Sequence, residues 1–353
     1  MSAPERPSRP VGPPAPLVSV IVPTYNAQKT LRACLASAFA QSYRPLEVVV
    51  VDDASTDRSA AVAGQFPCRL VEQRRNGGAS AARNAGVASS RGEILFFLDA
   101  DVALDSDAVA NAVRLLAGDA SCGLVYGVYA KEPLIDDGPV EIYRTLHLHS
   151  VLTRAVGLTT TAVFALAAVP RRVFEDVGPF DENLRSAEDD DYGERLLPSY
   201  RIRLTDSVIG RHDEADRLLP LLAEQYRRAQ LLRFAARGRL RRGSLKVNRM
   251  SGVLAAALLL ATLPVAAVWT PLLPLPVALL VLFAAADPPL SRLVLAERGP
   301  AFLVFFTAVH LLVHAALVTG TAVGWARAAI DPSFGPASRR AARQRHPVLS
   351  KRW

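Results

Sequence analysis

Residues 93–101, with the sequence EILFFLDAD, join a run of apolar residues directly to two carboxylates, Asp99 and Asp101. The apolar run is continuous rather than alternating, which is typical of a strand that is buried on both faces of a parallel sheet. Two similar runs occur upstream, LVSVIVP at 17–23 and LEVVVVD at 46–52. Each of the three runs therefore predicts a buried strand.

Helical patterns separate these predicted strands. They are AQKTLRACLASAFAQ at 27–41, DRSAAVAGQF at 57–66 and GASAARNAGVASS at 78–90. The alternation of strand and helix predicts crossover connections and hence an α/β fold with a doubly wound sheet. Ligands of such sheets bind beyond the carboxyl ends of the strands, so the residues that follow each run are candidates for a site.

Polar and aromatic side chains do follow the predicted strands, and a glycine turn lies between them in NGGASAARNAG at 76–86. In chain order the candidates are Pro23, Thr24, Tyr25, Asp53, Arg83, Asp99 and Asp101. A tyrosine ring can stack on a base, and a carboxylate can accept a hydrogen bond from a base N–H. Arginine and a helix N-terminus suit phosphate, and carboxylates suit Mg²⁺ or Mn²⁺. The set predicts a site for a nucleotide diphosphate with a divalent cation.

Each of these features has a simpler interpretation. Asp52, Asp53 and the Ser-Thr-Asp that follows could only cap a helix, as we expect of Asp57. The glycines could only form a turn, and a lone Asp-x-Asp is a weak signal. The order of all four features at successive strand ends favours the nucleotide site.

The segments VSVIVPTYNA, VVVVDDASTD, NGGASAARNAG and ILFFLDAD resemble, in sequence and order, the signatures of the family 2 glycosyltransferases. That family has the GT-A nucleotide-sugar-binding fold, and the resemblance covers about residues 17–245. It implies that Pro23, Tyr25 and Asp53 hold the nucleotide base, with Thr24 beside them, and that Arg83 contacts the nucleotide. It also implies that Asp99 and Asp101 form the DxD element, with Asp101 most directly on the metal.

A further block, RRVFEDVGPFDENLRSAEDDDYGERL at 171–196, resembles the FDE and ED elements of the same family. By this resemblance Glu188 and Asp189 are the ED pair that opens a helix, and Asp189 is the catalytic base. The implied reaction is inverting transfer, in which an acceptor hydroxyl attacks the anomeric carbon and gives its proton to a carboxylate. We expect the neighbouring carboxylates to raise the pKa of Asp189.

The resemblance continues to His212, which in many relatives completes the metal shell, although a structural histidine is an equally good interpretation. Gln225 and Arg228 match the QxxR part of an element found in processive members, without the tryptophan that follows it there. We predict both for the nucleotide-sugar site, with contact of this basic helix with a lipid surface as an alternative or additional role. The alternate spacing of His147 and His149 predicts one face of a strand, with packing or an acceptor contact rather than metal binding.

The C-terminal third contains two uncharged apolar segments, 251–269 and 301–326, each long enough to cross a bilayer. Buried helices of soluble proteins normally keep a polar face, so we predict a transmembrane region over 251–326, following a catalytic domain at 17–223. A shorter apolar segment, 276–286, predicts a re-entrant or interfacial element.

Basic residues flank this apolar region on both sides. Residues 224–250 hold nine Lys or Arg and one acid, and 327–353 hold seven and one. The positive-inside rule places both the basic interfacial helix region and the basic tail in the cytoplasm. We therefore prefer two crossings, with three possible if 276–286 crosses. This predicts a multi-pass protein of the cell inner (plasma) membrane with a cytoplasmic catalytic domain.

The remaining features set the cellular context. Residues 1–16 contain six prolines and no apolar run, which predicts a disordered leader without a secretory signal. Cys34, Cys68 and Cys122 are odd in number and widely spaced, which argues against a disulfide framework or a zinc cluster and fits a reducing compartment.

The resulting prediction is transfer of a hexose or deoxyhexose from a nucleotide diphosphate donor to a hydroxyl of a lipid-linked or envelope glycan acceptor, with Mg²⁺ or Mn²⁺. We prefer a uridine or deoxythymidine donor and expect no nucleic acid partner. A polyprenyl-phosphate glycosyltransferase is a rival, but such relatives generally lack the FDE…ED block. A non-catalytic nucleotide-sugar-binding membrane subunit is a second, and a nucleotidyltransferase, which would need a Gly-rich basic loop after the first strand, is a third.

Overall fold

The computed structural model describes residues 15–184, 187–232, 247–331 and 334–335. Nearly all of the predicted leader (1–16), the middle of the basic region (224–250) and most of the basic tail (327–353) lie outside these described residues.

The described strands form one mixed sheet with the order β3-β2-β1-β4-β8-β6-β9-β5, and β7 pairs with β9. The strands are β1 (Val18–Thr24), β2 (Leu46–Asp52), β3 (Arg69–Glu72), β4 (Ile94–Leu98), β5 (Val102–Leu104), β6 (Cys122–Tyr129), β7 (Gly157–Thr159), β8 (Leu166–Pro170) and β9 (Arg201–His212). The first four strands in the sheet order are parallel, whereas β8 runs antiparallel to β4. The parallel half agrees with the predicted doubly wound sheet, and the mixed half was not predicted.

Helices connect and flank the strands. They are α1 (Leu31–Phe39), α2 (Ser59–Ala63), α3 (Ala79–Ala88), α4 (Ala108–Gly118), α5 (Pro139–Arg154), α6 (Arg171–Val177), α7 (Glu188–Leu196), α8 (Leu218–Gln230), α9 (Met250–Val268), α10 (Pro274–Ala284) and α11 (Pro288–Ile330). The three predicted crossover helices are present but shorter than their patterns. The predicted domain boundary at 223 falls inside α8.

The prediction of a strand around His147 and His149 is wrong, because both residues lie in the helix α5. The buried positions of α5 recur three and four residues apart rather than alternately. They include Ile142, Tyr143, Leu146, His147, Ser150 and Val151. A short alternation of Leu and His within a helix therefore imitated a strand.

The core lies on both faces of the sheet, and its packing fixes the position of α3. Strands β1 and β4 are buried at nearly every position. On α3, Gly86 allows the helix to approach β1 closely, since a Cβ at Gly86 would lie 2.3 Å from Cγ2 of Ile21. This close packing places the polar face of α3 at the carboxyl ends of the parallel strands.

The three C-terminal helices are strongly apolar. Met250–Val268 and Pro288–Ile330 are long and apolar enough to be candidate membrane spans, and α10 is shorter. The backbone of α11 breaks at Gly299, where φ is +78°, and a continuous helix resumes at Pro300. The cysteines Cys34, Cys68 and Cys122 are free.

Candidate active site

The carboxyl ends of the parallel strands β1, β2 and β4 meet at one edge of the sheet. The antiparallel strand β8 begins at the same edge, since Leu166 pairs with Leu98. The chain just before β8 is attached there by a hydrogen bond from the Asp99 N–H to the carbonyl of Ala165, at 2.9 Å. Loops from both halves of the sheet thus converge where the sequence predicted a site.

Arg83 links the predicted site residues to one another. Its guanidinium is buried and lies 3.0 Å from Asp99 Oδ1, 3.3 Å from Glu188 Oε1 and 3.3 Å from Asp189 Oδ1. The rings of Phe164 and Phe180 flank it, with centroids at 5.8 and 5.6 Å. The three carboxylates raise the pKa of Arg83 against the effect of burial. Its two terminal nitrogens face carboxylates of the predicted base, its neighbour Glu188 and the DxD element, whereas its Nε is buried without a hydrogen-bond partner among the described residues.

Asp189 stands at the start of α7, as predicted for the ED pair. Its Oδ2 accepts a hydrogen bond from the Phe164 N–H at 3.0 Å, and its side chain remains 28% exposed. Desolvation raises the pKa of Asp189 to about 7, with Glu188 and Asp99 adding to the rise and Arg83 opposing it. A carboxylate that is held in place, is still accessible and has a pKa near neutrality is well suited to general base catalysis.

The DxD element and His212 lie together, although 111 residues separate Asp101 from His212 in the chain. Strand β5 pairs antiparallel with β9, which sets Val102 opposite His212. The His212 Nε2 lies 3.4 Å from Asp101 Oδ2, and its ring stacks on Tyr129 with centroids 4.6 Å apart. Despite desolvation, hydrogen bonds to Asp101 and Glu214 raise the pKa of His212 to about 10.

The chemical types of the donors in the DxD element and His212 suit a divalent cation. Asp101 Oδ1 is buried and has no hydrogen-bond partner among the described residues. Asp99 contributes a second carboxylate nearby, and His212 Nε2 lies 3.4 Å from the other oxygen of Asp101, Oδ2. Carboxylate oxygens suit Mg²⁺, and Mn²⁺ accepts both carboxylate and imidazole ligands. An oxygen left unpaired in this position is the atom that a cation would satisfy.

Glu214 is a site residue that the sequence analysis missed. Its Oε1 lies 2.7 Å from His212 Nδ1, and its Oε2 accepts from Arg144 Nε at 3.3 Å. The buried Glu141 accepts from the backbone N–H of Glu214 at 3.2 Å. Glu214 thereby fixes the ring of His212 with Nε2 toward Asp101. The only sequence signal was a carboxylate two residues after the histidine.

Asp53 shapes the glycine turn. Its two carboxylate oxygens accept the N–H groups of Gly77 at 2.6 Å and Gly78 at 2.7 Å, and its side chain is buried. The preceding Asp52 uses Oδ2 to accept from the Ser55 N–H at 3.1 Å. Its Oδ1 is buried without a hydrogen-bond partner among the described residues. Asp52 thus has one carboxylate oxygen without a described partner, whereas both oxygens of Asp53 accept a backbone N–H.

The residues after β1 present a surface beside this turn. Tyr25 is half-exposed, Pro23 is partly buried and Thr24 is buried at the end of the strand. The loop that follows is tied to the loop after β2, since Asn26 Oδ1 accepts from the Thr56 N–H at 2.8 Å. The exposed ring of Tyr25 is thus free to stack on a planar ligand. Asp57 accepts from the N–H and hydroxyl of Ser59, in agreement with its predicted local role.

Gln225 and Arg228 lie on α8, which packs against α11. Arg228 is exposed and pairs with Glu224 one turn earlier at 2.5 Å. Gln225 is buried, and its Nε2 has no hydrogen-bond partner among the described residues. Neither side chain forms a described contact with Arg83, Asp99 or Asp189, so their part in the sugar site stays a prediction.

The two histidines of α5 face opposite directions. His149 Nδ1 lies 2.7 Å from the carbonyl of Tyr129, the residue whose ring stacks on that of His212. His147 is buried toward the C-terminal helices, with its ring 4.9 Å from that of His310. Both therefore serve packing, one of the two roles expected of them.

A second carboxylate group lies near Lys29. Asp137, Glu141 and Asp213 are close enough to hold a metal ion. The Lys29 ammonium pairs with Asp137 and, at 2.9 Å, with Asp213. A lysine ammonium thus already balances the charge of this group.

Comparison with known proteins identifies the family. Residues 19–178 match the family described as Glycosyl transferase family 2. The glycosyltransferase AglE of Haloferax volcanii is 30% identical over 224 residues, which are 60% of this chain and 71% of AglE. An uncharacterized glycosyltransferase of Haemophilus influenzae is 27% identical over 188 residues, which are 52% of this chain and 64% of that protein. The match thus spans less than two thirds of the Haemophilus protein.

A solved structure supports the same family. The mannosyltransferase PcManGT from Pyrobaculum calidifontis, in complex with GDP-Man and Mn²⁺, aligns with a TM-score of 0.52 and 28% identity. The alignment covers 86% of this chain and 87% of PcManGT. The chain belongs to glycosyltransferase family 2 and has the GT-A fold. The predicted family and fold are confirmed.

Proposed function

We propose that this protein transfers a sugar from a nucleotide diphosphate donor to an acceptor hydroxyl, with inversion at the anomeric carbon. The observation that carries the proposal is the bridge through Arg83, which joins the candidate base Asp189 to Asp99 of the DxD element. A single displacement needs the base and the leaving diphosphate on opposite sides of one sugar. The shared guanidinium fixes the two carboxylate groups relative to each other before the substrates bind.

GDP-mannose is the first donor to test. PcManGT was solved with GDP-Man and Mn²⁺, and its alignment covers 86% of this chain. UDP- and dTDP-sugars, which the sequence analysis favoured, are the second set. For the base, Asp53, which orders the glycine turn, stays the predicted acceptor of an N–H, and the neighbouring Asp52 keeps a carboxylate oxygen without a hydrogen-bond partner among the described residues. Tyr25 would stack on the base from the exposed side.

Asp101, Asp99 and His212 would hold a divalent cation, Mg²⁺ or Mn²⁺, which in this chemistry balances the charge of the leaving diphosphate. The unpaired Oδ1 of Asp101 supports that assignment. Arg83 contributes indirectly, because its guanidinium is already paired with carboxylates. We therefore assign Arg83 to holding the base and the DxD carboxylate in place rather than to gripping the nucleotide.

Asp189 accepts the proton of the attacking hydroxyl in this proposal. The Phe164 N–H holds one oxygen of its carboxylate, and Arg83 lies 3.3 Å from the other. A pKa of about 7 leaves the carboxylate ionised in a large share of molecules at neutral pH and makes it a stronger base than an ordinary aspartate. A phosphate acceptor would not need this residue, so the arrangement favours a hydroxyl acceptor over a polyprenyl phosphate.

The two apolar helices and the basic flanks support membrane association. We propose that the protein is anchored in the inner membrane with its site in the cytoplasm. An acceptor carried on a lipid or in the envelope would be within reach of a site at that surface.

The base assignment is tested by Asp189→Asn in the full-length protein. We expect loss of transfer by about 10²- to 10⁴-fold, with GDP-mannose binding retained in the presence of Mn²⁺. Asp191→Asn is the matched control, since Asp191 lies on the same helix but pairs with Arg195. Transfer by Asp189→Asn at the rate of the control would refute Asp189 as the base.

A further inference from the structure

The segment Pro300–Ile330 of α11 is apolar and long enough to cross a bilayer, but both of its ends contact the same folded part of the chain. Just before the break at Gly299, Glu297 pairs with Lys131 of the β6–α5 loop at 2.6 Å. Near the other end, Arg327 donates to Gln230 Oε1 at 2.9 Å. The helix between them is about 46 Å long at 1.5 Å per residue. A helix that crosses the membrane has its two ends on opposite sides.

The first half of the same segment is covered by α5. The Tyr143 ring packs on Phe306 with centroids 4.7 Å apart, and the Tyr143 hydroxyl lies 2.9 Å from His310 Nδ1. Helix α5 is itself tied to the sheet through His149 and the carbonyl of Tyr129. The first half of the segment therefore lies against the α/β domain.

The second half is covered by α8. Cβ atoms built on Gly320 and Gly324 would lie 2.5 Å from the carbonyl oxygen of Tyr226 and 2.2 Å from that of Gln230. Leu221 of α8 belongs to the same apolar cluster as residues of α5, so the two helices form one continuous surface under the segment. The glycines allow the backbones of α8 and α11 to approach closely.

Neither covering helix suits the hydrocarbon core of a membrane. Helix α5 carries Arg144 and Arg154, and α8 carries Glu224, Arg227 and the exposed Arg228. If α11 spanned the bilayer, the helices packed on it would place these charges in the hydrocarbon core. The charges instead place the segment at the membrane surface.

The helices α9 and α10 form an uncharged hairpin whose two outer ends lie together, which suits insertion into a membrane. Their outer ends meet, since Arg249 Nε lies 3.2 Å from Asp287 Oδ2, and Arg154 of α5 pairs with the other oxygen of Asp287 at 2.6 Å. No charged residue occurs over 250–286, and Trp269 is exposed at the turn between the helices. The distal half of the pair exposes large apolar side chains, among them Leu263, Val265, Val268, Leu273, Leu275 and Val277.

We propose that the α9–α10 hairpin is the membrane-inserted element and that Pro300–Ile330 lies along the bilayer surface beneath the α/β domain. Helix α9 is about 28 Å long, close to the thickness of the hydrocarbon core. The partner of α11 is a lipid surface, which meets an exposed apolar stripe that includes Ala301, Val304, Ala308, Leu312, Val323 and Ile330. Both basic flanks then lie on one side, as the charge rule requires.

Spin-label depth measurements test this arrangement in the full-length protein, with Cys34, Cys68 and Cys122 replaced by alanine. Single cysteines replace Val304, Leu312 and Val323 on α11 and, as the comparison set, Leu254, Leu258 and Val265 on α9. All six positions are exposed in the structure. The depth of each label is obtained from its collision rate with oxygen relative to its collision rate with a polar nickel complex. The protein is reconstituted in liposomes of phosphatidylcholine and phosphatidylglycerol.

We expect one shallow depth for the three α11 labels and a depth that increases from Leu254 to Val265 on α9. A depth that passes through a maximum or changes steadily along α11 would overturn the surface placement. Equal depths near the bilayer centre would do the same. Water-accessible labels at all three α9 positions would overturn the insertion of the hairpin.

Disulfide trapping provides a second measurement, which does not use spin labels. The pairs Lys131→Cys with Glu297→Cys and Gln230→Cys with Arg327→Cys occupy the two ends of the segment. Both pairs should crosslink within one chain in membrane-bound protein, because both contacts then exist together. Failure of either pair in membranes, with crosslinking in detergent, would contradict the proposal.

Discussion

Arg83 was predicted to contact the nucleotide because an arginine near a glycine turn suits phosphate. The structure surrounds it with carboxylates that lie 16, 105 and 106 residues away in the chain. The sequence identified each member of this group through local motifs, but no local pattern could pair residues so distant. The pairing depends on the antiparallel half of the sheet, which brings Phe164 and α7 to the edge of the parallel half.

The pKa of Asp189 predicts the pH dependence of the reaction. Below pH 7 its carboxylate is mostly protonated and cannot accept a proton, and above pH 7 it is mostly ionised. We expect kcat/KM to fall about tenfold per pH unit below about pH 7 and to level off above it. A pH–rate profile with saturating Mn²⁺ measures this. A flat profile between pH 5.5 and 7.5 would contradict a catalytic base with a pKa near 7.

We expect Glu214 to increase the affinity of the site for Mn²⁺ by positioning His212. Glu214→Ala removes the acceptor that holds His212 Nδ1, 2.7 Å away. We expect the Mn²⁺ concentration for half-maximal donor binding to rise about 10- to 100-fold, with a smaller rise for Glu214→Gln, which keeps an acceptor. Glu175→Ala, at an exposed position of α6, is the control. An unchanged Mn²⁺ requirement in Glu214→Ala would show that Glu214 does not position the site.

At the level of elements, the position of Arg83 depends on how closely α3 packs on β1. Gly86→Ala places a Cβ 2.3 Å from Ile21 Cγ2, so the helix must shift. We expect a loss of about 1–3 kcal/mol in the free energy of unfolding, together with reduced transfer.

Gly118→Ala is the matched control for that substitution, since nothing lies within 4 Å of its Cβ position. It should leave both stability and transfer nearly unchanged. Thermal unfolding and a transfer assay on the two variants measure the difference. Equal stability of the two variants would contradict the role of the close contact.

The elements differ in how far the sequence determined them. Strands β1, β2 and β4 are buried on both faces, so their continuous apolar runs were a sufficient signal. Strand β9 alternates irregularly between buried and exposed positions, and β5 and β7 have three residues each, which is too short for a periodic pattern. These are the strands that complete the mixed half of the sheet and carry His212.

At the scale of the whole molecule, composition identified the apolar segments and the basic flanks. It could not decide which segments cross the membrane, because α9 and α11 are equally apolar candidates. Our proposal on that point rests on contacts: the ends of α11 reach Lys131 and Gln230, whereas the ends of the α9–α10 hairpin meet each other at Arg249 and Asp287. Under our proposal the site stands at the membrane surface, where a lipid-linked acceptor would be presented.

The stereochemistry of sugar release tests the central claim most directly, because it needs no knowledge of the acceptor. Water can replace the acceptor hydroxyl, and ¹H NMR with Mg²⁺ follows the anomer of mannose first released from GDP-α-mannose. Direct displacement with Asp189 as base predicts β-mannose at early times, before it equilibrates with the α anomer. Initial release of α-mannose would contradict the inverting mechanism.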